Sequence, residues 1–196
     1  MDITSIFSAF GLSASAGLNA YIPLLVVALL GRFTNLITLS EPWDTLTDWW
    51  IIGLLIVLSV IEFFADKFPA VNHVNDVIQT VVRPAAGAIV FAASAHAITN
   101  VHPLISLAAG LLVAGSVHVA KAGAMRPAVS ATTGGTGNIA VSVLEDVTST
   151  VLSILAVIIP IVVGVFLVLF ISWLIWWFWR KENMRMAEEA ARSKDQ

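Results

Sequence analysis

The chain has 196 residues, 58% of them hydrophobic and 12% charged, with mean hydropathy +0.91 and formal net charge −3. Such a composition excludes an ordinary soluble domain and fits a small polytopic membrane protein, with room for about five or six spans of about 20 residues. Cysteine is absent, which excludes disulfides, thiolate metal sites and thiol nucleophiles, and we expect no cofactor, metal or nucleic-acid partner.

The first segment, Ile3 to Gly31, follows a start with a single charge, Asp2, and lacks the basic region and cleavage site of a signal peptide, so it is expected to stay attached. Ser5, Ser8, Gly11, Ser13, Ser15, Gly17 and Asn19 interleave with apolar residues there. Small residues let a second helix approach, and this face is a candidate oligomer interface. Pro23, after Asn19 and Tyr21, predicts a kink near the middle of one long helix, where a freed carbonyl can face a ligand. A packing helix that tolerates its proline is the alternative.

A polar connection, Arg32 to Asp48, ends at Trp49-Trp50, which are expected as interfacial anchors. Segment two runs from Trp50 to about Ala65, and Glu62 lies four residues before Asp66, so both carboxylates share a helix face. Lys67-Phe68-Pro69 reads as a helix stop. The following piece, Val71 to Val82, carries Asn72, His73, Asn75, Asp76 and Gln79 and is expected to be re-entrant or interfacial rather than spanning. Segment three opens at Arg83-Pro84 with Gly87 and His96 inside it, and segment four follows His102-Pro103 with Ser116, His118 and Lys121.

After Arg126-Pro127 comes a helix-breaking run, Thr132 to Asn138, and then an apolar stretch, Ile139 to Trp179, interrupted by Glu145-Asp146 and Pro160. Trp173, Trp176, Trp177 and Trp179, followed by Arg180-Lys181, read as interface anchors before a charged tail, 180–196, expected in the cytoplasm. If Pro160 divides the last stretch, the chain crosses six times and nine of its ten Lys and Arg residues share one side, with both termini cytoplasmic. One long tilted helix and five crossings form the alternative. Residues 1–179 then make a single transmembrane domain. A two-fold internal repeat, 1–82 and 83–159, is suggested by Gly53-Leu54-Leu55 with Ser59 and Pro69 against Gly110-Leu111-Leu112 with Ser116 and Pro127.

Nine charged residues between Glu62 and Asp146 sit beside these apolar segments. Ionisable groups in hydrocarbon are costly and usually face a partner, a cavity or a substrate path. Lys67, Arg83, Lys121 and Arg126 are candidates for holding an anionic group, with Asn19 and Tyr21 of the first segment and with Thr133, Gly134, Gly135 and Asn138, whose backbone N–H groups suit anions. Glu62, Asp66, Asp76, His118, Glu145 and Asp146 are candidates for proton or ion coupling. Ion pairs that only orient helices are the competing interpretation. A P-loop lysine, a GxSxG elbow and an HExxH motif are all absent.

Gly17 to Pro23, Glu62 to Lys67 with Pro69, Arg83-Pro84 with Gly87, and His118 to Gly123 resemble a family of bacterial membrane proteins known as domain of unknown function 4126. The likeness continues through Arg126-Pro127, Thr133-Gly134-Gly135, Gly137-Asn138, and Ser142 with Glu145-Asp146. It implies a multi-pass protein of the bacterial inner membrane and no assigned activity. Together these features lead us to expect an all-α membrane helix bundle with broken or re-entrant helices. As function we expect a small secondary transporter or lipid flippase, handling an anionic solute or a phosphate-bearing lipid with proton or cation coupling. Its partners would be membrane lipids, and it would form a homo-oligomer. An intramembrane enzyme acting on a lipid head group, with Mg²⁺ at Glu62 and Asp66, and a structural assembly factor are the alternatives.

Overall fold

The computed structural model of the protein describes residues 3–67, 69–95, 102–134 and 137–192, and these form an all-α bundle with no strand among them. The order is α1 (Ile3–Leu18), α2 (Tyr21–Phe33), a 3-10 turn (Trp43–Thr47), α3 (Trp49–Ala65), α4 (Pro69–Ala95) and α5 (Pro103–Ala120). A π-turn (Lys121–Met125), α6 (Arg126–Thr133), α7 (Gly137–Ile158) and α8 (Pro160–Arg192) follow. Among the described residues three stretches are long and apolar enough to cross a membrane: Val77–Ala95, Pro103–Thr133 and Gly137–Ile158. Thr4–Leu18, Tyr21–Phe33, Trp49–Ala65 and Pro160–Phe170 are shorter apolar helices.

Polarity in this bundle is arranged inside out. On α7 the buried stripe is Ser142, Glu145, Ser149, Ser153 and Ala156, at helical spacing, while Val143, Leu144, Val147, Val151, Ile154 and Ile158 are exposed. Large side chains outside and small or polar ones inside are what a helix bundle in lipid requires, because lipid solvates the apolar surface and close backbone approach drives association.

The central helix is α1, where Ala9, Leu12, Ser13, Ser15 and Ala16 are fully buried. Its small residues are consumed within the chain. The Ser13 hydroxyl donates to the carbonyls of Gly110 (2.8 Å) and Gly87 (3.2 Å), and Ser15 bonds the hydroxyls of Ser149 (2.8 Å) and Ser153 (2.7 Å). α4 and α5 cross so closely beside them that a Cβ on Gly87 would lie 2.2 Å from the Ala114 Cβ, and one on Gly110 would lie 2.3 Å from the Gly87 carbonyl. The expected oligomer interface on this face is therefore replaced by contacts inside one bundle.

Three expectations about elements change. The first segment is a helical hairpin and not one kinked helix. Pro23 stands in the first turn of α2, and the chain reverses at Asn19-Ala20, where a proline N–H would have had to donate to the Asn19 carbonyl in a continuous helix. Leu36, Ile37 and Thr38, beyond the end of α2, line a small cavity with Ser5, Ser8 and Leu12, so α2 returns to the level at which α1 starts. Second, Val71 to Val82 is no separate piece: it is continuous with segment three in α4, with Pro84 inside the helix. Gln79, Arg83, Ala86 and Val90 form one buried stripe that runs through the proline. Third, helix α7 opens at Gly137 rather than Ile139. At the far end, α7 and α8 are separated by the single residue Ile159, whose N–H donates to the Leu155 carbonyl and whose carbonyl accepts from the Val163 N–H, so helical hydrogen bonding runs on across Pro160.

Candidate functional site

The hairpin tip carries two broken helix ends. α1 ends in unpaired carbonyls with partial negative charge and α2 begins with free N–H groups of partial positive charge. Each is met by a side chain of opposite sign. Lys121 Nζ donates to the Leu18 carbonyl at 3.1 Å, and the Ala20 N–H donates to the Glu62 carboxylate at 3.2 Å. Asn19 Oδ1 accepts from the N–H groups of Tyr21 and Ile22, each at 3.1 Å, as an N-cap does.

From Glu62 and Lys121 a ladder of alternating charge closes across the bundle. Arg83 Nη2 donates to Glu62 Oε1 (2.9 Å) and Asp66 Oδ2 (3.3 Å). Arg126 Nη2 reaches the same Asp66 oxygen (3.3 Å) and Glu145 Oε2 (3.4 Å), and Lys121 Nζ lies 2.7 Å from Glu145 Oε2. All six groups are buried, Arg83 completely. Three carboxylates face three cations, so the ladder carries no net charge, which low-dielectric surroundings demand. A second pair lies beside it: Asp146 accepts from Asn19 Nδ2 (3.0 Å) and Lys67 Nζ (3.3 Å).

The π-turn explains how α5 and α6 supply two of the cations. Five residues of α-helix turn the chain about 140° past a full revolution, which would send Lys121 and Arg126 to different faces. Hydrogen bonds from residue i to i+5 in the π-turn between them bring residues five apart nearly over one another, and both side chains reach Glu145. His118 adjoins the ladder: its Nε2 lies 3.3 Å from the Thr80 hydroxyl and its Nδ1 lies 3.5 Å from Arg83 Nη1. A guanidinium only donates, so this contact needs Nδ1 as acceptor and places the ring proton on Nε2, toward Thr80.

Beside the Asp146 pair a cavity of about 280 Å³ opens between α2, α3 and α7, lined by Asn19, Ile22, Ser59, Val60, Phe63, Phe64 and Asp146. Val60, Phe63 and Phe64 belong to the exposed apolar surface, so the groove opens sideways. The Lys67 ammonium stands 3.1 Å from the centroid of the Phe63 ring and donates to the Phe63 carbonyl at 2.9 Å.

The structure thus brings together Asn19, Glu62, Asp66, Lys67, Arg83, His118, Lys121, Arg126, Glu145 and Asp146, with Tyr21 half-buried at the tip. Thr133 closes α6, Gly134 follows it, and Asn138 stands in the first turn of α7. Gly134 takes the left-handed conformation at φ 63°, Thr133 Oγ1 accepts from the Gly137 N–H, and Asn138 donates to Ser130. Gly135, His96 and the side chain of Asp76 lie outside the described residues. Sequence reasoning missed the structural part of Asn75, which donates to Asp66 at 2.7 Å, and missed Ser59 and the Phe63-Phe64 wall. The spacing of five between Lys121 and Arg126 was the available sign of the π-turn.

No curated protein and no solved structure matches the chain. The family described as domain of unknown function (DUF4126) matches it over residues 6–181, and a chain whose charged ladder and hairpin tip both fall inside that span belongs to this family.

Proposed function

We propose that the protein is a small lipid flippase of the secondary-transporter kind, which moves a phosphate-bearing lipid with proton or cation coupling. One observation carries this: two broken helix ends inside an apolar bundle are held by buried charged side chains of neighbouring helices, next to a groove that opens to the apolar exterior. A sideways opening suits a lipid better than a soluble anion. Glu145 is the preferred coupling group, because its Oε1 is buried without a hydrogen-bond partner among the described residues while Oε2 meets two cations. The Mg²⁺-enzyme alternative is weaker, since Glu62 and Asp66 are already engaged by Arg83 and Arg126.

We place the protein in the bacterial inner membrane, with the ladder end of the bundle toward the cytoplasm. The hairpin then carries Ile3 to the opposite end, so a cytoplasmic N-terminus does not belong to the proposal. A homodimer does belong to it, through α8 instead of α1.

The test is flux. In vesicles holding the purified protein, a head-group-labelled phospholipid should become accessible to a membrane-impermeant quencher well beyond the outer-leaflet half. E145Q and R126Q should slow this while R185Q, in the tail, does not. Wild-type protein without flux, together with ladder variants that only lose folded yield, would leave the ladder a purely structural device.

A further inference from the structure

We infer that the groove beside Asp146 is a head-group site for a zwitterionic phospholipid, one that carries an ammonium and a phosphate together. The inference deepens the flippase reading and rests on it for the purpose of the site.

The walls of the groove are apolar, with Asp146 as its one charged lining residue and Lys67 paired to it from outside the lining. Asp146 lines it, Lys67 stands behind Asp146 at 3.3 Å, and the Ser59 hydroxyl is buried without a partner among the described residues. Phe63 and Phe64, edge to face at 5.4 Å, form the aromatic wall, and Val60 and Phe64 continue it onto the exposed surface where acyl chains can lie. About 280 Å³ is room for a head group and its first methylenes, not for a whole lipid.

Charge decides the ligand class. Lys67 and Asp146 cancel, and the ladder behind them is neutral. A net anion would add an unbalanced charge next to a carboxylate, and a net cation would leave Lys67 without compensation; both are penalised where solvation is poor. A zwitterion avoids either cost by exchange. Its ammonium takes the place of Lys67 on Asp146 and against the Phe63 ring, a face that already accepts an ammonium, and Lys67 turns to its phosphate. No bond is made or broken, and every charge keeps a partner.

Binding of short-chain phosphatidylethanolamine, phosphatidylglycerol and water-soluble phosphoethanolamine to the purified protein in detergent tests this, read as the shift in thermal unfolding with concentration. Phosphatidylethanolamine should bind best, D146N should weaken it by about tenfold or more, the loss of one charge-assisted bond, and K67Q should weaken both lipids. S59L fills the groove without touching an ion pair and should abolish binding while the unliganded unfolding temperature holds, which keeps the test decisive if D146N does not fold. Equal binding of phosphatidylglycerol that survives D146N would overturn the inference, as would normal binding to S59L or equally tight binding of phosphoethanolamine alone. Lipid flux that persists without phosphatidylethanolamine binding would sink this inference and spare the flippase reading; binding without flux would do the reverse.

Discussion

Glu145 faces Lys121 and Arg126 at once, and the two cations differ in what else they hold. Arg126 also has Asp66, whereas among the described residues Lys121 has the Leu18 carbonyl besides. E145Q should therefore destabilise the fold by about 3–5 kcal/mol, the usual cost of leaving a buried charge uncompensated. Replacing Lys121 by Met in the same chain should restore much of that, and a double-mutant cycle on unfolding in detergent reads the difference. Ser15 makes a gentler case. It links α1 to Ser149 and Ser153, and S15A should cost roughly 0.5–2 kcal/mol, the range for hydrogen bonds between membrane helices. Which residues would matter was largely readable in advance, because ionisable groups in apolar segments are expensive enough to need a reason. Their pairing was not readable. Nothing local in Arg83 says that it meets Glu62 and Asp66 while Arg126 bridges Asp66 to Glu145; helix packing alone decides that.

At the scale of elements, the glycines separate into those at crossings and those with room. G87A should destabilise by about 1–3 kcal/mol or more, since the new methyl would overlap Ala114 and crowd the Gly110 carbonyl. G53A and G123A meet no atom within 4 Å and should be neutral or slightly stabilising in the same thermal measurement. Gly53 and Gly110 occupy matching places in the suggested repeat, yet one faces open space and the other a close crossing. The π-turn gives a sharper test. Deleting Ala122 would leave Lys121 and Arg126 four apart, on one face of a regular α-helix, so the deletion should keep both cations on Glu145 and cost less stability than R126Q does, whereas inserting an alanine there should swing Arg126 off Glu145. The helix boundaries that sequence located well, near Pro69, Pro103, Gly134 and Pro160, are those marked by proline or glycine. It failed at Pro23 and Pro84 because a missing N–H permits a reversal or a continuing helix, and tertiary partners choose between them. At Asn19-Ala20 the choice belongs to Glu62 and Lys121, remote in the chain.

The whole molecule is a bundle of α1 to α7 from which α8 departs. Val163 and Gly164 are buried against α1, where a Cβ on Gly164 would strike Phe7, and every described side chain from Val165 to Lys181 is exposed. In a cysteine-free chain single cysteines make clean probes. V165C and L169C should cross-link between copies in the membrane, whereas S13C, buried inside its own bundle, should not. The reverse pattern would return the interface to α1. Composition alone fixed the class of the protein, but the division into a packed bundle and a departing helix had no local sign, because α7 and α8 present equally apolar surfaces.

The neutrality of the ladder has an electrical meaning. Moving one elementary charge through a membrane potential is worth about 2.3 kcal/mol per 100 mV. Three cations and three carboxylates displaced together move no net charge, and neither does the Lys67–Asp146 pair. Rearrangement of the hairpin tip as a unit is then blind to voltage. On the proposed transport reading, any potential-dependence would then belong to the coupling ion, and clamping the potential across vesicles would separate that ion's contribution from the protein's own.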